Sequence, residues 1–133
     1  MPNVLMTHVQ HYTGPGVLPI LLREGMHPFC HDASFVDADA RRAFEQMHPG
    51  AVALTAQTPE ELVAELSKRQ IEIGVVVSND TYPNTPLAIE DVSMQTLRNS
   101  FEVLLAFPFR LTQLLLPAMK QRKSGRFVFV TSA

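Results

Sequence analysis

The 133 residues contain no tryptophan and a single cysteine, Cys30. One thiol forms no intrachain disulfide, and there is no cysteine cluster to hold a metal. A reducing cytoplasm is the expected compartment. An excess of one charge is also missing, because 11 Lys and Arg stand against 13 Asp and Glu for a net charge of −2. Without a basic stripe, no nucleic-acid partner is expected. The opening Met1-Pro2-Asn3 lacks the positive segment of a secretory leader. The longest strongly apolar stretch, Phe101 to Met119, is interrupted by Glu102, Pro108 and Arg110. It reads as a buried or interface helix, so no membrane partner is expected. His8, His11, His27, His31 and His48 have no evident thiolate or acidic partners in a ligand pattern, and no metal site is expected.

What is present is a globular composition: 46% of the residues are apolar and 18% charged. The length suits one domain with a real core. Strand and helix signals then alternate. Val4 to Val9 reads as a strand, followed by a turn at Tyr12-Thr13-Gly14-Pro15-Gly16 and a helix from Val17 to Glu24 with Gly25 as its cap. His27 to His31 reads as a second strand, with Pro28 confined to an early or irregular position. Asp37 to Met47 is a helix and Ala51 to Thr55 a short strand. Thr58-Pro59-Glu60-Glu61 is a helix start with Thr as N-cap and Glu at the third position, and that helix ends near Gln70. Ile73 to Val77 is a continuous apolar strand, of the kind buried on both faces. Ser78 to Ile89 is a loop, Val92 to Arg122 a long helix kinked at Pro108, and Phe127 to Thr131 a last strand. Five alternations predict an α/β, Rossmann-like, doubly wound parallel sheet, truncated after the fifth strand, with residues 1–133 forming the N-terminal portion of one domain.

In such a sheet a ligand sits at the carboxyl ends of the strands, and the first turn bears glycines so that a pyrophosphate can approach the backbone. Here that turn reads Thr7-His8-Val9-Gln10-His11-Tyr12-Thr13-Gly14. Against the short-chain dehydrogenase pattern Thr-Gly-x-x-x-Gly-x-Gly, His8 and Tyr12 stand where glycines belong, and Gly14 alone remains. Dinucleotide binding is expected to be lost, unless a shifted loop lets Gly14 and Gly16 take over. Asp32 could bind a ribose hydroxyl or cap a turn, and the missing glycines favour the cap. Asn79, directly after the fourth strand, reads as structural. Asp80 faces the ligand crevice, where it either orients a cationic active-site residue or caps the loop.

Over its whole length the chain resembles the short-chain dehydrogenase/reductase superfamily. More narrowly, it resembles the halohydrin dehalogenases. The motifs are Thr7 to Gly16 with an aromatic at Tyr12, Cys30-His31-Asp32-Ala33-Ser34-Phe35, Val77-Ser78-Asn79-Asp80, Pro108-Phe109, and Met119 to Gly125 running into Phe129-Val130-Thr131-Ser132-Ala133. The resemblance implies cofactor-independent displacement of halide from a vicinal haloalcohol, giving an epoxide, and the reverse opening by small anions. It implies Ser132 as the catalytic serine, Tyr12 and Tyr82 as lining for the substrate and halide pocket, and Asp80 behind them. The family's Tyr-x-x-x-Arg pair lies beyond Ala133, so the chain is expected to be the N-terminal half of such an enzyme and inactive alone. Leu104 replaces the relay asparagine of the oxidoreductases. A homo-oligomer, a tetramer through helix 92–122, is implied as well. The alternatives are an NAD(P)-dependent short-chain oxidoreductase with a degenerate glycine loop, and a noncatalytic Rossmann-like binding module.

Overall fold

The computed structural model describes residues 1–83 and 86–132. Five strands form one parallel sheet in the order β3-β2-β1-β4-β5. They are β1 (Asn3–Met6), β2 (His27–Cys30), β3 (Val52–Ala53), β4 (Val75–Ser78) and β5 (Arg126–Phe129), interleaved with α1 (Gly14–Arg23), α2 (Ala38–Met47), α3 (Pro59–Lys68), α4 (Met94–Phe101) and α5 (Phe107–Arg122). The doubly wound α/β architecture is the one expected. The order reverses between β1 and β4, which opens a crevice beyond their carboxyl ends.

Alternation along the central strands builds two cores. Val4 and Met6 face one side with Leu18, Phe35 and Phe44, under α1 and α2. Leu5 and Val76 face the other with Leu62, Leu66, Leu111 and Met119, under α3 and α5. Side chains of successive strand residues point to opposite faces, so a strand covered on both sides must be apolar throughout.

Several boundaries differ from expectation. β1 ends at Met6, not Val9, because His8 turns into the left-handed region with φ of 47°. α1 begins at Gly14 and not at Val17, with Pro15 at the start, where its missing N–H costs nothing. β2 stops at Cys30. Pro28 sits inside it, since the His27 and His31 amides on either side donate to the Pro2 and Met6 carbonyls, while β3 only starts opposite Phe29. β3 is two residues long, β4 is shifted to Val75–Ser78, and β5 ends at Phe129. The predicted kink at Pro108 takes the form of a π-helical stretch, Glu102–Ala106, just ahead of it. A proline lacks an N–H and its ring crowds the preceding turn, and a widened turn accommodates both. The predicted loop over Ser78–Ile89 holds in outline, ending in a 3-10 turn at Ile89–Asp91; its Asn84 and Thr85, like Ala133, lie outside the described residues.

The stretch Met94–Arg122 is long and apolar enough to cross a membrane by length and composition. Leu111 and Met119 nevertheless pack into the core, whereas Phe101, Leu104, Leu105, Phe109 and Leu116 are exposed. Phe129 of the edge strand β5 is exposed beside them, and Val128 is exposed on the opposite face of the strand.

Candidate active site

The turn after β1 keeps a left-handed backbone at both positions where a glycine was expected. His8 has φ of 47° and Tyr12 has φ of 52°. Side chains disfavour this region by about 1–2 kcal/mol per residue, so something else must hold the path. Asn79 does. It is fully buried, and its side-chain N–H groups donate to the carbonyls of His8 (3.0 Å) and His11 (2.9 Å), while its Oδ1 accepts from the Thr13 amide (3.3 Å) and hydroxyl. The amide of Asn79 donates to the Thr7 hydroxyl at 3.0 Å. Asn79 therefore ties the end of β4 to the turn that forms the crevice floor, a structural role.

Gly14 has a different reason to be glycine. A Cβ there would lie 1.8 Å from the Val9 carbonyl oxygen. Its role is the close approach of α1 to the turn after β1, and it does not depend on a phosphate.

Asp32 is 1% exposed. Its carboxylate accepts from the Ser34 amide (3.1 Å) and hydroxyl (2.7 Å), capping a 3-10 turn over Ala33–Val36, with Gln10 and His11 Nε2 at 3.4–3.5 Å. Burial alone would raise its pKa, but the Ser34 hydroxyl and amide and the Gln10 amide outweigh it and hold it below the usual carboxylate value. The capping reading of Asp32 is the one observed. Neighbouring Cys30 is buried and its thiol is pushed up to about 12, chiefly by desolvation and then by Glu45, which makes it inert.

Asp80 anchors a polar cluster. Its Oδ1 accepts from the Thr7 hydroxyl and from His8 Nδ1, each at 2.8 Å, and its Oδ2 from the Ser78 hydroxyl. The His8 amide donates to Nδ1 of His31 at 3.1 Å. Burial first, and then the neighbouring His8, lower the pKa of His31 to about 4, so it stays neutral. Thr7, His8 and Ser78 were not foreseen as partners of Asp80, nor His31 as a partner of His8. A hydroxyl at the end of each of two adjacent strands, Thr7 directly after β1 and Ser78 closing β4, was the available signal.

A cavity of about 470 Å³ opens above this cluster, and Tyr12, Ser78, Asp80, Tyr82 and Ser132 all line it, with Leu104 on its wall. The structure thus brings together all four residues singled out from the sequence. Ser132 lies beyond the end of β5 and is exposed, and Tyr12 is half exposed at the mouth. Together they surround a small space with hydroxyls, one carboxylate and apolar walls, suited to a small polar organic molecule.

Solved structures share this fold. One described as a dehalogenation enzyme is 40% identical with a TM-score of 0.91, over 99% of this chain and 54% of that one. A halohydrin dehalogenase, HheC, bound to ethyl (2S)-oxiran-2-ylacetate is 32% identical with a TM-score of 0.92, over 98% of this chain and 52% of that one. A short-chain dehydrogenase from Streptomyces avermitilis, at 24% identity and a TM-score of 0.84 over 99% of this chain and 50% of that one, shares the fold. The chain spans about half the length of these relatives. No curated protein matches it. The sequence profile of the short chain dehydrogenase family matches residues 32–133. With that match over most of the chain, and with the parallel sheet in accord, the chain belongs to the short chain dehydrogenase family.

Proposed function

We propose that the chain is the N-terminal half of a halohydrin dehalogenase, acting on vicinal haloalcohols without a cofactor. The observation that carries this reading is the Tyr12 side chain, set where the family pattern has glycine and lining one cavity with Ser132 and Asp80. The residues present do not fit a dinucleotide. His8 and Tyr12 fill the turn where a pyrophosphate would approach bare backbone, and Asp32 is committed to Ser34.

In this reading the Ser132 hydroxyl holds the substrate oxygen by a hydrogen bond. A tyrosine from the half beyond residue 133 takes the hydroxyl proton, its pKa lowered by an arginine from the same half. The alkoxide then displaces the halide on the adjacent carbon, forming the epoxide C–O bond as the carbon–halogen bond breaks. Holding nucleophile and leaving group on neighbouring carbons removes the entropic cost of bringing them together. The halide departs into the space beside Tyr12, and Tyr82 lines the substrate side. Asp80 faces the arginine. The exposed apolar residues of α4 and α5 suit pairing with further copies, a tetramer through helix 92–122 in this reading. The cytoplasm is the proposed compartment.

The test is bromide release from a simple vicinal bromo-alcohol by the full-length parent protein, with no nicotinamide present. Stoichiometric bromide and epoxide are expected. Folded full-length protein that releases none, but binds a reduced nicotinamide cofactor, would replace this reading with the oxidoreductase one.

A further inference from the structure

We propose that His8 is a positioning residue that orients Asp80 toward the cavity; the catalytic meaning of this rests on the dehalogenase reading above. His8 is held at three points. Its amide donates to His31 Nδ1 at 3.1 Å, its carbonyl accepts from the Asn79 side chain at 3.0 Å, and its ring Nδ1 lies 2.8 Å from Asp80 Oδ1. A carboxylate only accepts, so Nδ1 carries the proton. The ring packs edge-on against His31 at 4.7 Å and tilted against Phe107 at 5.8 Å, which leaves it little freedom to turn away.

The other partners of Asp80 leave a task for His8. The Thr7 hydroxyl accepts from the Asn79 amide, which directs its proton to Asp80 Oδ1. The Ser78 hydroxyl occupies one site on Oδ2. His8 and Thr7 together fill Oδ1, so Oδ2 is the oxygen with a lone pair to spare for a cation entering from the cavity. Without the imidazole, Oδ1 loses one of its two donors and the carboxylate can rotate about its terminal torsion, which is broad and soft.

Two variants of the full-length protein test this. His8→Gly removes the imidazole and suits the left-handed backbone, so thermal stability is expected to stay level or rise. Its kcat for bromide release is expected to fall about tenfold with KM nearly unchanged, the loss of one charge-assisted hydrogen bond. His8→Asn tolerates the same backbone and can offer a side-chain N–H, and it is expected to recover kcat to within about threefold of the parent. His8→Gly with the parent's kcat overturns the proposal, as does His8→Asn that is no better than His8→Gly. A parent that releases no bromide defeats the dehalogenase reading, and the pair is then judged by nitrogen-15 NMR. A protonated His8 Nδ1 whose resonance shifts in Asp80→Asn supports the contact, and no response to Asp80→Asn overturns it.

Discussion

Replacing Gly14 by alanine adds one methyl group at the tightest of the six glycine positions. The new Cβ would lie 1.8 Å from the Val9 carbonyl oxygen, 2.5 Å from its carbon and 3.0 Å from its Cα, where real contacts do not fall below 3.0 Å. Both sides of the clash are backbone and both are tied down. The Val9 amide donates to the His31 carbonyl at 3.0 Å, and the Gly14 amide to the His11 carbonyl at 2.9 Å. Relief requires α1 to move off the sheet, or the turn to leave Asn79. Overpacking a core ordinarily costs about 1–3 kcal/mol, and a clash with fixed backbone belongs at or above the top of that range. For a domain of this size, about 3 kcal/mol lowers Tm by roughly 10 °C. Gly16 is the control, two residues on, with nothing within 4 Å of its Cβ position and no positive φ. Gly16→Ala is expected to be neutral or to gain up to about 1 kcal/mol. Thermal unfolding followed by circular dichroism reads both. Equal melting temperatures for the two variants would refute the packing explanation for Gly14 and return it to a role in ligand binding.

Asn79→Ala leaves the His8 and His11 carbonyls and the Thr13 amide without their partner at a buried site, and is expected to lower urea stability by about 2–4 kcal/mol. His31 gives a pH signature. Its pKa is about 4 when folded against 6.5 for the free side chain, so the unfolded chain binds the extra proton between those values. Stability is therefore full above about pH 6.5 and falls on acidification toward pH 4, by roughly 3 kcal/mol in all. His31→Asn keeps an acceptor for the His8 amide and should flatten that slope in denaturant melts taken across the range; an unchanged slope would assign it to another group.

Local chemistry made some elements legible in the sequence. The Thr58 cap and the returning Glu61 form the expected capping box, and Gly25 takes the left-handed position after α1 with φ of 76°. The alternation of strand and helix signals indicated the parallel-sheet class. What escaped depended on distant partners. Nothing in Thr7-His8-Val9 signals a left-handed histidine, because the bonds that hold it come from His31, Asn79 and Asp80, just beyond the ends of two other strands. The two glycines and the proline of Gly14-Pro15-Gly16 mask the start of α1, since their low helix propensity is overridden by packing against Val9. The π-helical turn before Pro108 has no periodic signature of its own. Of the residues lining the cavity, Asp80 was legible by its position after a strand, whereas Tyr12, Tyr82 and Ser132 were picked out by the family resemblance. The donors around Asp80 were not legible, because hydroxyls at strand ends are common and become informative only once the strand order makes β1 and β4 neighbours.

The turn separates two demands that glycine usually meets together. One is a backbone path through the left-handed region, and the other is an absence of side chain. Here the path is kept and the side chains are restored. Two left-handed residues other than glycine cost about 1–2 kcal/mol each. Against that stand the hydrogen bonds from Asn79 to the turn and the contact of His8 with Asp80, each of about 1 kcal/mol or more where buried and charge-assisted. The two sums are of similar size, so the strained path persists without glycine. Returning His8 and Tyr12 to glycine would therefore relax the backbone while emptying the crevice of the groups that shape it. Glycine loss at this turn changes what the crevice can hold and leaves the course of the chain as it was.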